Sequence, residues 1–174
     1  KKIHIVNEQA FTDPDFPTVA SPNPEEKKSF DLAKEFANSC RAELILATDP
    51  DCDRVSFMAK EGNEWVFFNG NEVICLLTDY ILQKLKETNS IVENPFIAKT
   101  IVTTDLYKEI AEYYGVECLE TLTGFKWIGK LIRENEGEKN FICGGEESYG
   151  FLANTFVRDK DAVMGCSLAV DMFA

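Results

Sequence analysis

At 174 residues, 45% of them hydrophobic and 28% charged, the chain is long enough for one sizeable core or two small domains, and it is not disordered. Its formal net charge of −12 argues against broad binding to nucleic acid or to an anionic membrane, both of which would repel it. An anionic substrate must therefore be held by local cations, and Arg54, Lys126, Arg158 and Lys160 are the candidates.

Lys1 to Val6 reads as a strand that begins at once, so the chain is expected to be a piece of something longer. His4 alternates there with Ile3 and Ile5 and reads as structural. A loop with Pro14, Pro17 and Pro22 follows. Asn23-Pro24-Glu25-Glu26 then supplies a cap residue, a proline for the first helical position and acids for the first turn, so a helix is expected from there. Phe30, Leu32, Ala33, Phe36 and Ala37 give it an apolar face. A strand over 43–47 leads into Thr48-Asp49-Pro50-Asp51-Cys52-Asp53-Arg54. Val55–Ala59 and Glu64–Phe68 read as two strands joined by a hairpin-like turn at Glu61-Gly62-Asn63.

After Asn69-Gly70-Asn71 the pattern changes. A long helix is expected over 72–87, then a strand over 96–102, a helix over 105–114 and a short strand near 116–119. A helix over 124–134 with Thr123 as its N-cap, a strand over 140–143, a loop over 144–158 and a closing helix complete the chain. Strands alternating with helices argue for an α/β fold: two α/β domains with mixed, largely parallel sheets. The boundary is placed at 69/70, giving domains 1–69 and 70–174. No apolar run approaches the length of a membrane span, and no signal peptide opens the chain. Six scattered cysteines without a C-x-x-C pair read as reduced thiols, which points to a cytoplasmic protein.

The densest chemical signal is the acidic run. Asp49, Asp51 and Asp53 sit two residues apart behind a buried strand, and Pro50 keeps Asp49 out of the helical region, so the segment stays extended or turned. In that geometry three carboxylates can converge. A carboxylate set without His or thiolate suits a hard cation, Mg²⁺ before Zn²⁺ or Cu²⁺. Counted as an EF-hand loop from Asp49, the run puts Arg54 where Gly is needed and Lys60 where the bidentate Glu belongs, so a Ca²⁺ module of that type is excluded.

Three further groupings carry chemistry. Gly144-Gly145-Glu146-Glu147-Ser148-Tyr149-Gly150 follows a buried strand, and Glu146 and Ser148 offer an acceptor and a donor suited to sugar hydroxyls. Thr121-Leu122-Thr123-Gly124-Phe125-Lys126-Trp127-Ile128-Gly129 opens a helix whose N-terminus, with Lys126, can face an anion. Arg158-Asp159-Lys160-Asp161 is either a solvated charge run or the source of a phosphate-binding or proton-transfer group.

Together, Thr-Asp-Pro-Asp-Cys-Asp-Arg (48–54), Thr-Leu-Thr-Gly-Phe-Lys-Trp-Ile-Gly (121–129), Gly-Glu-Glu-Ser-Tyr-Gly (145–150) and Val-Arg-Asp-Lys-Asp-Ala (157–162) resemble the α-D-phosphohexomutase superfamily, and most closely its phosphoglucomutase/phosphopentomutase branch. The four motifs occur in the family's order and span essentially the whole chain. The resemblance implies the later part of domain 2 plus domain 3 of a four-domain enzyme, without domains 1 and 4. It makes Asp49, Asp51 and Asp53 the ligands of Mg²⁺ and Arg54 a phosphoryl contact. It puts Glu146 and Ser148 on two sugar hydroxyls, Thr123 and Gly124 on a substrate-orienting loop, and Lys160 on a phosphate contact or proton transfer. The family's phosphoserine loop is missing, and Ser21 in Ala20-Ser21-Pro22-Asn23-Pro24 only imitates it. The implied reaction moves a phosphoryl group between C1 and C6 of a hexose, or C1 and C5 of a pentose, through the phosphoserine, with a sugar bisphosphate as intermediate and activator. This piece alone is expected to be inactive. The metal and sugar loops are expected to face one cleft, because ligand groups gather at the carboxyl ends of strands. The alternative is a haloacid-dehalogenase-like phosphatase, since Asp51-Cys52-Asp53-Arg54-Val55 fits Asp-x-Asp-x-Val, although its later Gly-Asp or Asp-Asp motif does not occur.

Overall fold

Five α-helices and seven strands make up the computed structural model, which describes residues 2–174. The first sheet is an antiparallel meander of β1 (Leu44–Thr48), β2 (Val55–Glu61) and β3 (Glu64–Phe67), in the order β1-β2-β3. Its hairpin closes between Glu61 and Glu64, with Gly62 at φ 60° in a position that residues with a Cβ adopt reluctantly. Helix α1 (Asp31–Cys40) packs on this sheet through Ala37, against Phe30, Ile45 and Met58, and stops at Arg41 in the left-handed region.

The second sheet has the order β5-β4-β6-β7. Strand β4 (Pro95–Thr100) runs parallel to β5 (Glu117–Thr121) and to β6 (Asn140–Gly145), while β7 (Phe151–Leu152) returns antiparallel to β6. The parallel pairing thus lies in this sheet, joined by α3 (Leu106–Tyr114) and α4 (Phe125–Glu134) as crossovers. Helix α2 (Gly70–Glu87) is started by a capping box: Asn69 accepts from the Glu72 N–H at 3.1 Å, and Glu72 accepts from the Asn69 N–H at 2.7 Å. Helix α5 (Ala162–Met172) is capped by Asp161, which accepts from the Met164 N–H at 2.9 Å.

One apolar core serves both sheets. Val55 and Phe57 of β2 join Val73, Ile74 and Leu77 of α2, Ile97 of β4, Cys143 of β6, Phe151 of β7 and Ala169 of α5. The backbone is continuous across the same seam. The Val55 N–H donates to the Tyr149 carbonyl at 3.0 Å, Arg54 forms an antiparallel bridge with Gly150, and the Ala162 N–H donates to the Cys52 carbonyl at 3.0 Å.

Four expectations are corrected. Of the strand expected at 1–6, Lys1 lies outside the described residues, and 2–6 form no strand. Ile3 and Ile5 are 84% and 62% exposed, so their alternation meets no sheet face. The helix expected at Pro24 begins at Asp31, after a 3-10 turn over Lys27–Phe30, because the Asn23 side chain accepts from the Glu25 N–H and closes a local turn instead. Thr123 is not the N-cap of α4. Gly124 occupies that position at φ 102°, a value open to glycine. The segment 144–158 is not all loop, since β6 extends to Gly145 and β7 lies within it.

The seam supplies a test of packing. A Cβ at Gly165 on α5 would stand 2.7 Å from Val55 Cγ1. Alanine there gains at most about 1 kcal/mol of helix propensity, against about 1–3 kcal/mol for overpacking a filled core. Gly165→Ala should therefore lower the urea midpoint, and a raised midpoint would show that Val55 has room to yield.

Candidate active site

The acidic segment is turned rather than extended. The Cys52 N–H donates to the Asp49 carbonyl at 3.1 Å, and Cys52 sits at φ 57°, so the chain folds back on itself between the aspartates. Asp49 Oδ1 accepts from the backbone N–H groups of Asp53 (3.0 Å) and Arg54 (2.9 Å), which fixes the turn. One carboxylate oxygen from each of Asp49, Asp51 and Asp53 lies within 4.8 Å of the others. Burial and the neighbouring Asp53 push the Asp49 carboxyl above its ordinary range, against the two backbone donors. Asp53 Oδ1 is buried with no hydrogen-bond partner. A buried carboxylate oxygen left unbonded, inside a cluster of hard oxygen ligands, fits a small divalent cation such as Mg²⁺.

Arg54 follows directly and is held by acids. Its guanidinium pairs with Glu25, while Nε stands 3.6 Å from Asp49 and 3.8 Å from Asp53. Across the seam, Lys160 Nζ lies 2.8 Å from Asp53 Oδ2 and 3.3 Å from Asp159. Burial works against the Lys160 charge, but hydrogen bonding to Asp53 and the Asp159 charge prevail and hold its pKa above the ordinary lysine value. Its methylenes cross Gly150 so closely that a Cβ there would meet Lys160 Cδ at 2.4 Å.

The turn after β6 closes with the Glu146 N–H donating to the Gly150 carbonyl at 2.9 Å, and with Tyr149 at φ 67°. Glu146 is only 6% exposed and accepts from the Gly124 N–H at 2.9 Å, which ties the N-terminus of α4 to this turn. The Ser148 hydroxyl has no hydrogen-bond partner among the described residues and stays available to a ligand. The turn carrying Glu146 and Ser148 and the turn carrying the three aspartates are therefore in contact, through the Arg54–Gly150 bridge and the Lys160 side chain.

The family description phosphoglucomutase/phosphomannomutase, alpha/beta/alpha domain III, matches residues 69–174, and the corresponding domain II description matches residues 1–62. The chain belongs to the phosphoglucomutase/phosphomannomutase family. A phosphoglucomutase of Staphylococcus epidermidis is 44% identical over 164 residues, covering 93% of this chain and 29% of that protein. The chain thus spans less than a third of the relative's length. A phosphoglucomutase/phosphomannomutase family protein of Burkholderia thailandensis has a similar fold, at TM-score 0.71 and 17% identity over 93% of this chain and 33% of its own. An N-acetylphosphoglucosamine mutase of Aspergillus fumigatus, solved with GlcNAc-6P and magnesium, matches at TM-score 0.51 and 14% identity, over 73% of this chain and 32% of its own. With the mutase family shown, the phosphatase alternative has no observation in its favour.

Not every sequence candidate joins this cluster. Arg158 pairs with Glu136, beyond the end of α4. Thr123 is exposed, and Lys126 is exposed over the Trp127 ring, its Nζ 5.4 Å from the centroid. Two acids were missed. Glu25 holds Arg54, and Glu147 accepts from the Thr100 and Thr103 hydroxyls at 3.1 Å each. Asn23-Pro24-Glu25-Glu26 has the pattern of a helix start, which assigns Glu25 to a first turn, and nothing in the sequence separates the roles of Glu146 and Glu147 in Glu-Glu-Ser.

Burial raises the Glu146 pKa, opposed by the Gly124 N–H and the Lys160 charge. A folded-state carboxyl pKa above the unfolded value means that the folded protein keeps its proton longer, so stability falls as pH rises through that window. Glu146→Gln removes this titration while retaining an acceptor for Gly124. The stability of the variant relative to the parent chain should increase from pH 4 to pH 7, and thermal melts across that range would reveal a flat difference if burial does not govern this carboxyl.

Proposed function

We propose that this chain is the later part of the second domain (residues 1–69) and the third domain (70–174) of a four-domain phosphoglucomutase-type isomerase, carrying its magnesium loop and its sugar grip. The observation that carries the reading is Lys160, whose ammonium reaches Asp53 of the acidic turn while its stem lies across Gly150 of the sugar turn. One residue thereby touches both halves of a site that must hold a phosphoryl group and a sugar at once.

In this reading Asp49, Asp51 and Asp53 hold Mg²⁺, and the magnesium-bound mutase of Aspergillus fumigatus supports the choice of metal. Bound there, Mg²⁺ draws charge from phosphoryl oxygens. Arg54 exchanges its carboxylate partners for the phosphoryl group. Lys160, held in its charged form, contacts phosphate or gives up a proton to a sugar oxygen. Glu146 and Ser148 accept from and donate to two ring hydroxyls, so that the sugar is gripped alike in either orientation. Thr123 and Gly124 border that grip through the Gly124–Glu146 bond. Lys126, exposed in the first turn of α4, adds positive charge beside it, while Arg158 would have to leave Glu136, beyond the other end of α4, to contribute.

The phosphoserine that gives and takes the phosphoryl group belongs to the missing first domain, and a fourth domain completes the phosphate site. Substrates are hexose or pentose phosphates moved between C1 and C6 or C1 and C5, with a sugar bisphosphate as intermediate and activator. Six cysteines with no disulfide among them support a cytoplasmic setting. Among the described residues no helix is long and apolar enough to cross a membrane.

Titration with Mg²⁺ or Mn²⁺ tests the metal loop in this chain itself. Asp51→Asn should weaken binding by about tenfold or more, since even residues behind the ligands carry about 10–100-fold. Indistinguishable isotherms for the two proteins would sink the metal assignment. The chain alone should not interconvert glucose 1- and 6-phosphates, because the nucleophile that takes part in every turnover is absent.

A further inference from the structure

Glu147 stands between the two residues proposed to grip the sugar and points the other way. Its Oε2 lies 3.1 Å from the hydroxyl of Thr100, the last residue of β4, and 3.1 Å from that of Thr103. The two hydroxyls are 2.8 Å apart, and both threonines are buried, at 0% and 3% exposure. Three oxygens thus share two hydroxyl protons, and the ionised carboxylate, which can only accept, is the natural end of that network. The backbone is pinned at the same residue. The Glu147 carbonyl oxygen fills the space beside Gly70 so fully that a Cβ on Gly70 would meet it at 1.8 Å. Neither contact is needed to form β6 or the Glu146–Gly150 turn, which close through their own backbone bonds.

We propose that Glu147 is a positioning residue for sugar-phosphate binding. It anchors the underside of the turn to the end of β4 and to the start of α2, and so fixes where Glu146 and Ser148 project. This rests on the reading that Glu146 and Ser148 hold the sugar ring. A turn with Tyr149 in the left-handed region is costly to hold in one conformation, and a charge-assisted anchor on two buried hydroxyls offsets that cost. Released from the anchor, the turn samples other conformations and the two grips no longer meet two hydroxyls together. The effect then falls on substrate binding more than on the chemical step.

The test uses a full-length phosphoglucomutase carrying this segment, with glucose 1-phosphate as substrate. Glu147→Ala and the isosteric pair Thr100→Val/Thr103→Val cut the same contact from opposite sides. Each should raise KM about tenfold with a much smaller change in kcat, the loss expected from a charge-assisted hydrogen bond. Combined, they should raise KM no further than either alone, because they remove one interaction. Glu147→Gln keeps an acceptor oxygen and should recover most of the binding. Hydrogen exchange at the 145–150 amides of the chain described above should quicken in Glu147→Ala and in the threonine pair alike. Effects on KM that multiply, or lowered thermal stability with KM and loop exchange unchanged, would overturn the assignment. Glu146→Gln, run beside them, separates the two ideas. If it leaves KM untouched, the sugar-grip reading fails, whereas a raised KM in Glu146→Gln with none in the Glu147 variants defeats the anchor alone.

Discussion

The short backbone contact between residues 54–55 and 149–150 governs the architecture. The acidic turn ends where β2 begins, the other turn ends where β7 begins, and the Arg54–Gly150 bridge with the Val55–Tyr149 hydrogen bond joins the two ends. Backbone bonds of this kind each contribute only about 0.5–1.5 kcal/mol net. Their weight lies in register, since they settle which side chains meet. With Arg54 opposite Gly150, the lack of a side chain at 150 leaves the channel that the Lys160 stem occupies, and that stem leads to Asp53. Behind the contact, Val55 packs on Gly165 and enters a core that runs from the first sheet into the second. The two family domains meet as one packed body along this seam, so the distance between the acidic turn and the Glu146–Gly150 turn is set by filled volume rather than by a linker.

The same logic explains what was legible in the sequence. Elements that bury one face announce themselves by period, and so β1, β2 and α2 to α4 fall close to where alternation and 3.6-residue spacing put them. Misreadings occur where a local signal is answered by something non-local or simply by a different local partner. Asn23 is a good cap residue, yet its side chain closes a turn on Glu25 and leaves that acid beside Arg54. Thr123 is likewise a good cap, but Gly124 takes the position with a backbone angle that frees its N–H for Glu146. Ile3 and Ile5 alternate as a strand would, without a neighbouring strand among the described residues to make alternation meaningful. Within the site, the convergence of the three carboxylates was legible because Pro50 keeps their segment out of a helix. The partner of each charge was not, because Glu25, Asp159 and Glu136 look alike in sequence and only the fold assigns them to Arg54, Lys160 and Arg158.

Charge pairing bears directly on how a chain of net charge −12 could receive an anion. Arg54 and Lys160 do not stand open to solvent as bare positive groups. Each is already matched by carboxylates, and only Lys126 of the four candidate cations makes no ion pair among the described residues. Under the proposed function, a sugar phosphate would therefore be bound by exchange of partners. That exchange is cheap on one side, since partly exposed pairs such as Arg54–Glu25 contribute no more than about 1 kcal/mol. It is favourable on the other, because a guanidinium can meet a phosphate with two parallel, charge-assisted hydrogen bonds. The carboxylates thus keep the cations placed and charged without holding them strongly. A cation held by the aspartate cluster would shift the balance further, because it would neutralise Asp53, the acid that Lys160 and Arg54 share. In the proposed site, metal, arginine and lysine would then act as one electrostatic unit, in which filling the acidic turn would loosen the two cations for a phosphoryl group.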